Sequence, residues 1–198
     1  MSQMLSLPRG DYRFVALDVE TASGDAASIC QIGLACVDHD NRIETFSTYI
    51  DPCMAFSPFN TQLHGIGPET VFGAPVFADV LAALSPLLMR HPLVQHSSFD
   101  SRAITKACEC VGLPVPALSW TDSVRIARAA WPEFKGNGGH GLGHLKQALG
   151  LEFEHHDAGE DARAAALVVL HAEARLGLEF AALRESVYAP TPKPRKTV

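Results

Sequence analysis

The apolar run Phe14-Val15-Ala16-Leu17 opens the patterned part of the chain and predicts a strand from Arg13 to Val19. Two further apolar segments, Ile29 to Asp38 and Arg42 to Ile50, predict a second and a third strand. Between them Asp38-His39-Asp40-Asn41 has the chemistry of a hairpin turn. Strands joined this tightly predict an antiparallel meander. The segment Asp51 to Pro75 is rich in Pro and Gly and reads as loop with short helical turns. The spacing then changes. Val76, Val80, Leu84 and Leu87 or Leu88 fall on one side of a helix from Val76 to Met89.

Pro92 to His96 predicts a short buried strand, and Asp100 to Cys110 a helix ended by Gly112 and Pro114. Leu118 to Thr121 predicts another strand, and Asp122 to Ala130 a helix. The glycine-rich stretch 135–141 reads as a mobile flap or a linker. It is not a phosphate-binding P-loop, because no Gly-Lys-Ser/Thr follows it. Three more helices are predicted: Leu142 to Leu149, Gly159 to Leu176, and Leu178 to Val187. This order implies an α/β fold with a mixed five-stranded sheet flanked by helices.

At 198 residues, 47% hydrophobic and 19% charged, the chain suits one compact domain. It divides into a flexible lead-in (1–10), a domain (11–188) and a basic, Pro-rich tail (189–198) expected to be disordered. No apolar run reaches membrane-spanning length, and Met1 to Asp11 lacks the pattern of a signal peptide. A cytoplasmic location and no membrane partner are therefore expected. The odd set of five cysteines reads as reduced thiols. The net charge of −6 argues against a protein that grips nucleic acid by charge alone. It leaves room for a nuclease whose bound cations neutralise a carboxylate cluster.

The candidate chemistry lies in acids. Asp18 and Glu20 are two apart on a strand, so both project from the face that also carries Phe14 and Ala16. Divalent cations would compensate their mutual repulsion, and two solvated acids at a strand end is the bland alternative. Asp100 stands at a strand-to-helix junction, where an ordinary N-cap would account for it. In His155-His156-Asp157-Ala158-Gly159-Glu160-Asp161, Asp161 shares a helical stripe with Ala165, Val168 and Val169. A buried acid needs a partner, such as a metal. Helix-dipole complementarity, open equally to Asp157 and Glu160, is the simpler account.

Taken together and in order, these motifs resemble the DEDDh 3′→5′ exonucleases. That family includes the proofreading epsilon subunit of bacterial DNA polymerase III, RNase T and oligoribonuclease. Leu17-Asp18-Val19-Glu20-Thr21 looks like the first motif, and Ile29-Cys30-Gln31-Ile32-Gly33 like the second strand. Leu63-His64-Gly65-Ile66 resembles the loop after the third strand, and His96-Ser97-Ser98-Phe99-Asp100 the second motif. Thr121-Asp122-Ser123 resembles the next strand's exit. His156 and Asp161, following Leu142 to Leu151, match the third motif. Ser97 departs from the usual Asn, and Thr21-Ala22-Ser23-Gly24 from the usual Thr-Thr-Gly. Neither departure touches a metal carboxylate.

The resemblance implies an RNase H-like fold and two-metal phosphodiester hydrolysis with Mg²⁺ or Mn²⁺. Asp18 would bridge both ions, Glu20 and Asp161 complete one site, and Asp100 serve the other. His156 would be the general base, with His155 as its local competitor. Thr21, Leu63, His64 and Phe99 would meet the terminal nucleotide, although ordinary packing also explains Leu63, His64 and Phe99. The implied partner is a nucleic acid with a free 3′ end, single-stranded DNA above others. RNA or short oligonucleotides are the first rival, and a catalytically silent interaction module is the second. Association with a polymerase or with a second copy is left open. The segment Gln3 to Pro8 resembles clamp-docking peptides no better than chance.

Overall fold

In the computed structural model, residues 6–152 and 156–189 are described. The expected tail from 190 onward and His155 therefore lie outside the described residues, as do residues 1–5 of the expected lead-in. Five strands form one sheet in the order β3-β2-β1-β4-β5. Strands β1 (Phe14–Thr21), β2 (Ile29–Val37) and β3 (Ile43–Tyr49) make the antiparallel meander. Strands β4 (Leu93–Gln95) and β5 (Trp120–Asp122) run parallel to β1. A parallel neighbour requires a crossover, and the chain supplies helices at both such places.

The helices are α1 (Pro58–His64), α2 (Phe77–Arg90), α3 (Phe99–Cys110), α4 (Ser123–Ala130), α5 (Leu142–Leu149), α6 (Ala158–Leu176) and α7 (Phe180–Tyr188). The period-2 alternation of β1 divides the core. Phe14 and Ala16 join Ala35, Val37, Ile126, Leu145 and the Ala/Val stripe of α6 on one face. Val15, Leu17 and Val19 join Ile32, Leu34, Leu84, Leu88 and Ile104 on the other. Asp18 and Glu20 thus belong to the α6 face, as their register requires.

In three places the structure adds to the sequence pattern. β1 continues to Thr21, past the polar Asp18 and Glu20, because its ladder with β2 continues to Ile29 through an irregularity at Glu20/Thr21. The segment 51–75, expected as loop with short helical turns, contains α1, which has Pro58 at its start and ends at Gly65 with φ of 76°. None of its residues is buried, so it carries no apolar signal. The glycine stretch 135–141 is tethered. The His140 ring reaches the Trp131 carbonyl at 2.8 Å, and its own carbonyl meets His96 Nε2 at 3.0 Å.

No helix among the described residues is long and apolar enough to cross a membrane.

Candidate active site

The carboxylates converge where β1, α3 and α6 meet, on a groove of about 500 Å³. Asp18, Glu20, Asp100, His156 and Asp161 all line it, together with Thr21, Leu63 and Phe99. His64 is close by but is not among the lining residues, and both of its ring nitrogens are used inside the protein. A second hollow of about 550 Å³ lies between α7 and β5. Among the described residues that line it, Glu185 is the one carboxylate, too few to compete as a cation site.

Each acid is placed by a different local device. Asp18 and Glu20 share a face of β1, opposite Gly33 and Gln31 of β2. Asp100 is 2% exposed and is not the cap of its helix; Ser98 holds that position. Its Oδ1 instead accepts from the Val19 backbone N–H at 3.1 Å, tying α3 to β1. The N-cap reading of Asp100 is thereby excluded.

The competition among the acids before α6 is resolved in the same way. Asp157 is the N-cap, with Oδ1 accepting from the N–H groups of Gly159 and Glu160 at 3.0 and 3.1 Å. Asp161 is therefore released from capping and turns inward. Its Oδ2 accepts from the His156 backbone N–H at 2.9 Å. His156 has a φ of 71°, a left-handed conformation that costs a non-glycine residue energy and clusters at functional sites.

Sequence reasoning missed the residues that seat α6. Gln31 Nε2 donates to Asp157 Oδ2 at 2.9 Å, and Gln31 Oε1 accepts from the Ala158 N–H at 3.1 Å. At Gly33 any Cβ would overlap the Ala158 carbonyl and the Gly159 nitrogen. Only glycine lets the start of α6 come so close to β2, and that approach brings Asp161 to Asp18. The signal was the Gln31-Ile32-Gly33 pattern, but its meaning depends on a helix more than a hundred residues away.

The electrostatics follow from crowding. Burial, then the charges of Asp100, Asp161, Glu20 and Asp157, hold the Asp18 carboxyl well above the usual carboxylate range. Burial, followed by Asp161, Asp100 and Asp157, pushes Glu20 up to about 7. Asp100 is also raised to about 7, mainly by burial and against two backbone N–H bonds that lower it. A protein folds such a cluster at a cost unless cations occupy it. Ligand atoms of Glu20, His156 and Asp161 lie within 4.8 Å of one another. The hard carboxylate oxygens of this cluster fit Mg²⁺ or Mn²⁺.

Comparisons with known proteins agree with this arrangement. The RNase_T family model, described as exonuclease, matches residues 15–169. A DNA polymerase III PolC-type of Streptococcus suis is 34% identical over 149 residues, 74% of this chain. The chain spans about 10% of the length of that relative. Exonuclease X, solved with 5′ overhanging duplex DNA, superposes with a TM-score of 0.70 at 21% identity, covering 88% of this chain and 99% of that one. The nuclease domain of 3′hExo, a DEDDh family member bound to rAMP, gives 0.69 at 20% identity, covering 85% and 94%. At these identities the two structures establish a shared fold, and the family match adds the lineage. The chain belongs to the RNase_T exonuclease family.

Proposed function

We propose that this chain removes nucleoside monophosphates from the 3′ end of DNA by two-metal hydrolysis, with single-stranded DNA as the preferred substrate. The observation that carries the reading is the convergence of Asp18, Glu20, Asp100 and Asp161 with His156 on one groove. Asp18, Glu20, Asp100 and Asp161 would hold two divalent cations, which when bound supply charge neutralisation at the phosphate and an acidified water. The residues of the chain do the rest. His156 takes a proton from the attacking water at a ring nitrogen. The water oxygen bonds to phosphorus, the P–O3′ bond of the last linkage breaks, the O3′ of the shortened strand takes a proton from solvent, and the nucleoside 5′-monophosphate leaves. Thr21, Leu63 and Phe99 flank the terminal nucleotide, and an apolar or aromatic wall accepts any base.

A cytoplasmic enzyme acting with a replicative polymerase fits the PolC-type relatives, in which the matched region is a small part of a longer chain. RNA or short oligonucleotides form the second reading, favoured by the rAMP bound to the 3′hExo nuclease domain. The deciding experiment uses 5′-labelled single-stranded DNA and the matching RNA with Mg²⁺ or Mn²⁺, beside Asp18→Ala and EDTA controls. A ladder shortening from the 3′ end, absent from both controls, supports the reading and ranks the polymers. Intact substrate with folded, metal-supplied protein refutes it.

A further inference from the structure

The helix α1 presents a mechanical problem. It has seven residues, none buried, and a free helix that short is unstable in water. Yet it carries Phe59, 71% exposed, and Leu63, 43% exposed, into the lining of the carboxylate groove. Apolar burial cannot hold it there. Its ties to the end of β1 are polar and meet on two successive carbonyls. The Thr21 carbonyl accepts from Asn60 Nδ2 at 3.0 Å and from His64 Nε2 at 3.1 Å. The Ala22 carbonyl accepts from the Ser57 N–H at 2.8 Å.

The His64 ring is prepared for this. The Ile66 N–H donates to its Nδ1 at 3.0 Å, so Nδ1 is the acceptor and Nε2 carries the proton toward Thr21. Burial pushes the imidazole pKa down, with the Thr21 bond opposing and His156 adding to the fall, which keeps this neutral tautomer. Both lone pairs of one carbonyl are therefore engaged by α1, one residue after Glu20.

We propose that Asn60 and His64 are positioning residues, a two-donor clamp on the Thr21 carbonyl that fixes the Phe59–Leu63 wall over the carboxylate cluster. The inference rests on the proposed reading that the groove holds a 3′-terminal nucleotide. His64 then acts through Thr21 and not as a wall itself. Loosening the clamp lets α1 sample positions in which the nucleotide loses its wall, while the carboxylates stay held by β1, α3 and α6. Binding of the terminal nucleotide suffers more than the chemical step.

The test compares the whole chain with Asn60→Asp, His64→Leu and His64→Gln on a single-stranded oligonucleotide with Mn²⁺. Asn60→Asp is nearly isosteric but turns a carboxylate oxygen on the carbonyl. His64→Gln keeps an N–H in reach of Thr21, and His64→Leu does not. Asn60→Asp and His64→Leu should raise KM about 10-fold with kcat reduced less than about 3-fold, and His64→Gln should restore most of the loss. Chymotrypsin gives a readout independent of activity. Cleavage after Phe59 or Leu63 in the substrate-free protein should be several-fold faster in Asn60→Asp and His64→Leu, with melting temperature little changed. Unchanged KM and cleavage rate in active variants overturn the clamp. An inactive wild type fails the exonuclease reading instead, and the cleavage rates still decide whether the clamp exists.

Discussion

Replacing Asp100 by Asn should make the metal-free protein more stable while damaging it as an enzyme. Asp100 is 2% exposed, and its Oδ1 accepts from the Val19 N–H at 3.1 Å. An Asn amide oxygen keeps that bond and removes the charge that faces Asp161 and Asp18. The Asp100 carboxyl is raised from 3.8 to about 7 in the fold. At 1.36 kcal/mol per pK unit the ionised form costs at most about 4 kcal/mol, and relaxation of the crowded groups lowers this to roughly 2–4. The sign follows from the direction. A carboxyl whose folded pKa lies above its unfolded pKa destabilises the fold fully above pH ~7. That cost shrinks as pH falls and is gone near pH ~4. In EDTA at pH 8 the variant should therefore melt about 4–16 °C above wild type, at ~2–4 °C per kcal/mol. At pH 5 more than half of the gap should close. Saturating Mn²⁺ at pH 8 should stabilise wild type by ~2.7 kcal/mol at a hundred times Kd and the variant by much less. Differential scanning fluorimetry across this grid checks it. A variant no more stable than wild type in EDTA at pH 8, or a gap that does not depend on pH, refutes the reasoning.

Other outcomes follow from the same geometry. Gly33→Ala forces a methyl group into the Ala158 backbone, and should cost about 1–3 kcal/mol in chemical denaturation and more than about 100-fold in rate as α6 retreats. Asp157→Ala removes the α6 cap and the Gln31 bond, and should lower stability by about 1–2 kcal/mol in urea melts. His156→Ala should reduce kcat by about 10²–10⁴ in single-turnover assays without abolishing cleavage. Activity with no general-base loss in that variant would assign the proton transfer elsewhere.

What the sequence by itself determined is what local periodicity encodes. The period-2 alternation put Asp18 and Glu20 on one face of β1, and the helical stripe Asp161-Ala165-Val168-Val169 aimed Asp161 at the core. The five strands and the crossovers were legible because each depends on neighbours within a few residues; Asp18, Glu20, Asp100, His156 and Asp161 were singled out as a set only through the family resemblance. The tertiary structure decided between acids that look alike in one dimension. Asp157 caps α6 and Asp161 does not, because Gln31 holds Asp157 from β2. Asp100 lies in the first turn of α3, two residues after the N-cap Ser98, and spends its oxygen on Val19 of another element. Gly33 is an ordinary glycine until the start of α6 comes to lie on it. The helix α1 left no trace in the apolar pattern because it buries nothing; hydrogen bonds to Thr21 and Ala22 place it, and a hydrogen bond between distant residues has no period in the sequence.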